Sequence, residues 1–205
     1  MRFLSHVTHI HVNETAHCFP GQTDGTLTPL MKEPSMAITM YRASVPQLEQ
    51  MLRNLLTIID KALAHASARK IDPQVLLAMR LSPDMFPLVR QVQTVTDFAK
   101  AIAFRLAGRE PPKWDDTEKT FEELKTRIDK ALKILQAVKP DDFEGSQMRE
   151  ITVSPGGRML KFKGDDYLFN FALPNFYFHV TIAYAILRHA GVELGKSDYI
   201  GPLSR

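Results

Sequence analysis

His179 stands alone in a densely apolar and aromatic run, ALPNFYFHVTIAYAILRHAGV, over residues 172–192. An imidazole there has three uses: a metal ligand, a catalytic base that titrates near neutrality, or a core histidine held by a hydrogen bond. His189 follows ten positions later. On a helix the two would lie about 80° apart, too far round to share one ion. His189 and His65 instead fall near helix C-termini, where a cation is favourable against the dipole. Four of the seven histidines, His6, His9, His11 and His17, lie near the start with the single cysteine, Cys18. Imidazole and thiolate are zinc ligands, but this spacing matches no zinc motif. Residues 1–35 have no helical period and are interrupted by Pro20, Gly21, Gly25 and Pro29. They are expected to be a disordered N-terminal extension, or chain upstream of a true start at Met36 or Met40. No serine or cysteine motif supports nucleophilic catalysis. Gly156-Gly157 lacks the GxxxxGK pattern of a phosphate loop and reads as a turn.

The elements that must position His179 are helical. Ser44-Val45-Pro46-Gln47 reads as an N-cap with a capping-box glutamine and a first-turn proline. Leu48, Met51, Leu52, Leu55, Ile59, Ala62, Leu63 and Ala66 then recur at steps of three and four, which predicts a long amphipathic helix. Asp72-Pro73 opens a short piece from Gln74 to Met79. Ser82-Pro83-Asp84 repeats the signal and predicts a second long helix from Asp84 to Leu106, with Gly108 as its stop. Asp115 with Glu118 three residues on is expected to open the third, with Phe121, Leu124, Ile128, Ala131, Leu132, Leu135 and Val138 as its core stripe and a charged, solvated outer face. The period then changes to two, and Ile151 and Val153 against Leu160 and Phe162 predict a β-hairpin from Glu150 to Lys163. Asp165-Asp166 opens the last helical region. Pro174 should kink or restart it, and Gly191 should end it.

The bulk numbers narrow the classes. Of 205 residues, 44% are apolar and 24% charged, an ordinary globular profile with chain enough for one core. The net charge of +3 is spread through the chain, and no helix carries a base-reading set, so no nucleic-acid partner is expected. No apolar run approaches the ~20 residues of a membrane helix. One cysteine fits a reducing compartment, and the expected location is cytoplasmic.

The last helix also carries a resemblance. His179 is followed eight, nine and twelve positions on by Leu187, Arg188 and Gly191. In this it resembles the DinB/YfiT-like superfamily of metalloenzymes. Asp84-Met85-Phe86-Pro87-Leu88, Gln91-Val92-Gln93, Leu106-Ala107-Gly108, Leu173-Pro174-Asn175-Phe176-Tyr177-Phe178-His179 and Gly195-Lys196-Ser197-Asp198-Tyr199 look like one bacterial and fungal domain of unknown function within it. The likeness runs from about Met36 to Pro202. It implies an all-α, DinB-like four-helix bundle with the hairpin in the crossover before the last helix, and one domain over 36–202. The superfamily's metal site, as the resemblance implies it, is three histidines: one from the second helix and two, four residues apart, from the last. Here His179 matches one. Asn175 stands four residues earlier, and the second helix offers Gln91, with Gln93 or Asp97 beside it. One imidazole with two amides is a poor set for zinc or nickel, so a divalent metal is not favoured. Three readings stay open: a degenerate metal site in a DinB-like protein, a metal-dependent hydrolase or thiol transferase of DinB type, and a metal-free small-molecule-binding or homodimeric module. In the last, Asn175, His179, Gln91, Asp97, Tyr177 and Tyr184 would line a pocket.

Overall fold

The computed structural model describes residues 38–202. The expectations for residues 1–35, including His6, His9, His11, His17 and Cys18, lie outside the described residues. Four long helices make the body: α1 (Val45–Arg69), α3 (Leu88–Leu106), α4 (Phe121–Ala137) and α6 (Leu173–His189). The short helix α2 (Pro73–Ala78) lies between the first two. The four pack in a ring, α1 on α4, α4 on α3, α3 on α6 and α6 back on α1, which is an antiparallel-type four-helix core. Each expected stripe faces inward. Leu88, Val92, Val95, Ala99, Ile102 and Leu106 of α3 are all fully buried, and so are Leu48, Leu52, Leu55 and Ile59 of α1.

Between α4 and α6 the chain forms β1 (Glu150–Val153) and β2 (Leu160–Lys163), an antiparallel pair with Ile151 opposite Phe162 and Val153 opposite Leu160. This is the expected hairpin. Its inner residues Ile151 and Val153 join the helical core. The final helix α7 (Lys196–Ile200) docks on α1: Asn54 Nδ2 donates to Tyr199 O at 2.8 Å, and Lys61 Nζ stands 2.7 Å from Asp198 Oδ1. The Lys61 ammonium and then the Gly195 N–H hold the Asp198 carboxyl below its usual range. Among the described residues no helix is long and apolar enough to cross a membrane.

Three local expectations differ from the fold, each for a physical reason. Ser44 is the N-cap residue, but its hydroxyl makes no cap; it donates to Met40 O at 2.7 Å. The second long helix starts at Leu88 rather than Asp84, because Pro87 disfavours helical geometry in the residue before it. Ser82 and Asp84 instead close a turn, with Ser82 Oγ donating to Asp84 Oδ1 at 2.6 Å. The third helix starts at Phe121, capped by Thr120: its Oγ1 accepts from Glu123 N and Glu123 Oε2 accepts from Thr120 N. A full capping box outcompetes Asp115 and Glu118, and the Glu118 carboxylate turns to Arg127 and Gln93 instead. Pro174 restarts the helix as expected: it stands in the first turn of α6. The chain passes from α5 (Gly164–Asp166) through a π-helical turn (Tyr167–Ala172) into α6. There Leu173 N bonds back to Leu168 O, five residues away. The wider turn accommodates a residue that has no N–H to offer, and Asn175 Nδ2 covers Phe171 O at 2.6 Å.

Candidate functional site

The seam between α3 and α6 holds the histidine. His179 Nδ1 lies 2.7 Å from Gln91 Oε1, and Gln91 Nε2 donates to Phe86 O at 3.0 Å. This chain of bonds fixes the tautomer. A carbonyl only accepts, so the amide nitrogen of Gln91 must face Phe86 and its oxygen must face the imidazole. His179 therefore carries its proton on Nδ1, and Nε2 keeps a lone pair. Gln91 is 1% exposed, so its two bonds are an anchor rather than a surface contact. Among the described residues Nε2 has no hydrogen-bond partner, and it is not among the buried unpartnered atoms. It keeps some contact with solvent.

Three aromatic rings surround the imidazole. Phe86 and Phe98 lie near-parallel to it, at centroid distances of 6.3 and 6.1 Å, and Phe178 meets it edge-on at 5.2 Å. Phe86 and Phe178 are 48% and 52% exposed, so the seam presents a half-open aromatic surface. This burial pushes the His179 pKa below 6.5, helped by the nearby Arg90 charge. The ring is neutral at pH 7. It can accept a hydrogen bond or a proton at Nε2, and it can bind one Lewis acid there.

The other candidate residues are held elsewhere. The Asn175 amide nitrogen is bound to its own helix. Tyr177 donates to Gln47 Oε1 at 3.0 Å, and Tyr184 packs edge-on against Tyr199 at 5.8 Å. Asp97 takes Lys100 Nζ at 2.9 Å and Arg127 Nη2 at 3.0 Å. Gln93 is buried and donates to Glu118 Oε2 at 2.8 Å. Among the described residues only Gln91 hydrogen-bonds the His179 ring. A centre of three imidazoles does not fit this seam, which brings one ring and one already committed amide together. Among the described residues no group of three or more His, Cys, Asp or Glu side chains stands where it could hold a metal ion.

The opposite face of α3 holds a second polar cluster, which the sequence reading missed. Arg127 belongs to α4, whose charged residues were expected to form a solvated outer face, yet it is 3% exposed. Its Nε donates to Thr96 Oγ1 at 2.8 Å. Its Nη1 reaches Asp115 O at 2.8 Å and Glu118 Oε1 at 2.9 Å; its Nη2 reaches Asp97 and Asp116, each at 3.0 Å. Arg90 pairs with Asp116 and so links the two clusters. Arg90, Lys100 and Arg127 balance Asp97, Asp116 and Glu118. Trp114 sits over this network, with Lys100 Nζ 4.2 Å and Lys130 Nζ 4.4 Å from its ring centroid, beside a cavity of about 470 Å³. The signal was present in the sequence: Arg127 falls three residues after Leu124 and four before Ala131, on the buried stripe.

Comparison with known proteins agrees with this architecture. Residues 40–200 match the family described as "Domain of unknown function (DUF1993)". A crystal structure of a DinB family member protein from Shewanella denitrificans is 42% identical, with a TM-score of 0.77 over 81% of this chain and 94% of that one. No curated protein matches. The chain belongs to the DUF1993 family, and its fold is the DinB-like four-helix bundle with a hairpin before the last helix.

Proposed function

We propose that the chain is a DinB-like protein with a degenerate metal site, and that its His179 seam works as a metal-free binding site for a small molecule. The observation that carries this is the locked amide: Gln91 spends its oxygen on His179 Nδ1 and its nitrogen on Phe86 O. That leaves one outward lone pair, on Nε2, between two exposed aromatic rings. Such a seam suits a flat, apolar ligand with one hydrogen-bond donor: the donor meets Nε2 and the body covers Phe86 and Phe178. A neutral imidazole of lowered pKa is also a general base of modest strength. A second copy of the chain would cover the same rings, which is the homodimeric form of the same reading.

One observation favours the metal-dependent hydrolase or thiol-transferase reading. A histidine whose far nitrogen is held by a neighbour and whose near nitrogen points outward is oriented as metal-bound histidines are. It would need its remaining ligands from outside the described residues. Metal content of untagged protein purified without chelator, beside His179→Ala, separates the two. No metal in either, with ligand-observed NMR showing aromatic amides or phenols that bind the parent and not the variant, supports the metal-free site. Near-stoichiometric zinc, nickel or iron that is lost in the variant overturns it.

A further inference from the structure

A cavity of about 340 Å³ opens at the C-terminal end of α3, lined by Arg105, Arg109 and Arg149 with Glu110, Glu150 and Thr152. It shares no lining residue with the His179 contact. Two of its guanidiniums are fixed by neutral partners. Arg105 Nη1 donates to the hydroxyl of Tyr167 at 3.3 Å, and that tyrosine is fully buried. Burial raises the Tyr167 pKa, so its hydroxyl stays uncharged beside Arg105. Arg149 donates to Leu106 O, a carbonyl that the end of α3 leaves open, and at 3.4 Å to Glu144 O. Its guanidinium lies flat on Gly108, where a Cβ would come 3.2 Å from Arg149 Cζ. Gly108 also has φ +71, so the position requires glycine twice over.

The charges around this cavity do not balance. Arg109 pairs with Asp142 at 2.8 Å, and Glu150 pairs with Lys161 at 3.2 Å. Lys163 stands opposite Glu150 across the hairpin. Among the described residues Arg105, Arg149 and Lys163 have no carboxylate partner, and Glu110 is the only unpaired acid in the lining. A single carboxylate would neutralise one of the excess charges. A phosphate monoester, near −2 at neutral pH, neutralises two and offers three oxygens to guanidinium forks. We propose that this cavity is a phosphate-binding site, with the Arg105 and Arg149 guanidiniums as its two fixed cations, Arg109 at its rim and Thr152 in its lining.

Two sources carry that group, free orthophosphate and a small phosphomonoester, and one titration distinguishes them. Heteronuclear NMR of the full chain is titrated with orthophosphate and with glycerol phosphate, at ionic strength held constant with chloride. The expected result is saturable shifts at Gly108, Arg149 and Thr152. Arg105→Lys with Arg149→Lys keeps both charges but removes both forks, and should weaken binding by roughly tenfold or more while the helical circular dichroism is kept. Arg109→Gln, at the exposed rim, should weaken it less and tests the site without touching the core. Tighter binding of glycerol phosphate assigns a phosphomonoester; equal or tighter orthophosphate assigns the free ion. Shifts no larger than chloride gives, or the same affinity in both variants, overturn the site.

Discussion

α3 carries a polar cluster on each of two faces, and the two differ in how fully they are satisfied. Toward α4, Arg127 is buried and each of its three guanidinium nitrogens has a hydrogen-bond acceptor; Asp97, Asp116 and Glu118 balance its charge with those of Arg90 and Lys100. Toward α6, Gln91 is buried with a partner on each of its two polar atoms, but His179 is only half-buried and leaves one nitrogen without one. Closed networks fix structure, since every member already has its partner. The Arg127 cluster does this for the connection between α3 and α4, where Asp115, Asp116 and Glu118 are all tied to one guanidinium. An open valence flanked by exposed rings is what recognition of another molecule needs. Saturation, rather than the number of polar groups, separates the scaffold from the candidate site.

Removing a member of the closed cluster should have the largest effect. Arg127→Met leaves three carboxylates without their shared cation and should destabilise the fold by about 3 kcal/mol or more, read by urea denaturation. Hydrogen exchange should quicken across residues 109–120, while ligand binding at His179, measured below the unfolding range, stays. A smaller loss is expected for Gln91→Leu, about 1–2 kcal/mol, because His179 Nδ1–H and Phe86 O each lose a partner. Its diagnostic effect is on the imidazole, which is then free to change tautomer. Thr120→Ala, which removes half of the capping box at the end of the same connection, should cost about 1 kcal/mol by thermal denaturation. Phe178→Ser should change stability by no more than about 0.5 kcal/mol, since the ring is half exposed; if the seam binds a ligand, it should weaken that binding far more than it weakens the fold.

The pH dependence has a definite sign. His179 binds its proton more weakly in the folded chain than in the unfolded one. As pH falls below 6.5 the unfolded state takes up a proton that the folded state refuses, so stability falls until the lower folded value is passed. Above 6.5 this contribution does not change. His179→Phe should flatten that slope in denaturation curves recorded across the range.

The sequence made much of this legible. The buried stripes of α1, α3 and α4 follow directly from steps of three and four, and the hairpin from the change to steps of two. The starts of α3 and α4 were harder, because two start signals competed at each. Asp84 lost to Pro87, whose ring restrains Phe86, and Asp115 lost to the reciprocal box of Thr120 and Glu123. The sequence put His179 and Gln91 in one candidate site, and the two do meet. Nothing in the pattern shows that Asp97 turns to Arg127, because that depends on which helix faces which side of α3. Phe86 and Phe98 as neighbours of His179 are likewise products of packing, 93 and 81 positions away in the chain.

The central claim is that His179 is a neutral ring with its proton on Nδ1 and its Nε2 lone pair outward. Long-range proton–nitrogen NMR of the ring, followed from pH 8 to pH 5, reads this directly. The account predicts an Nδ1–H tautomer at pH 7 and a midpoint below 6.5, with the tautomer preference lost in Gln91→Leu. An Nε2–H tautomer, or a ring already charged at pH 7, would contradict it.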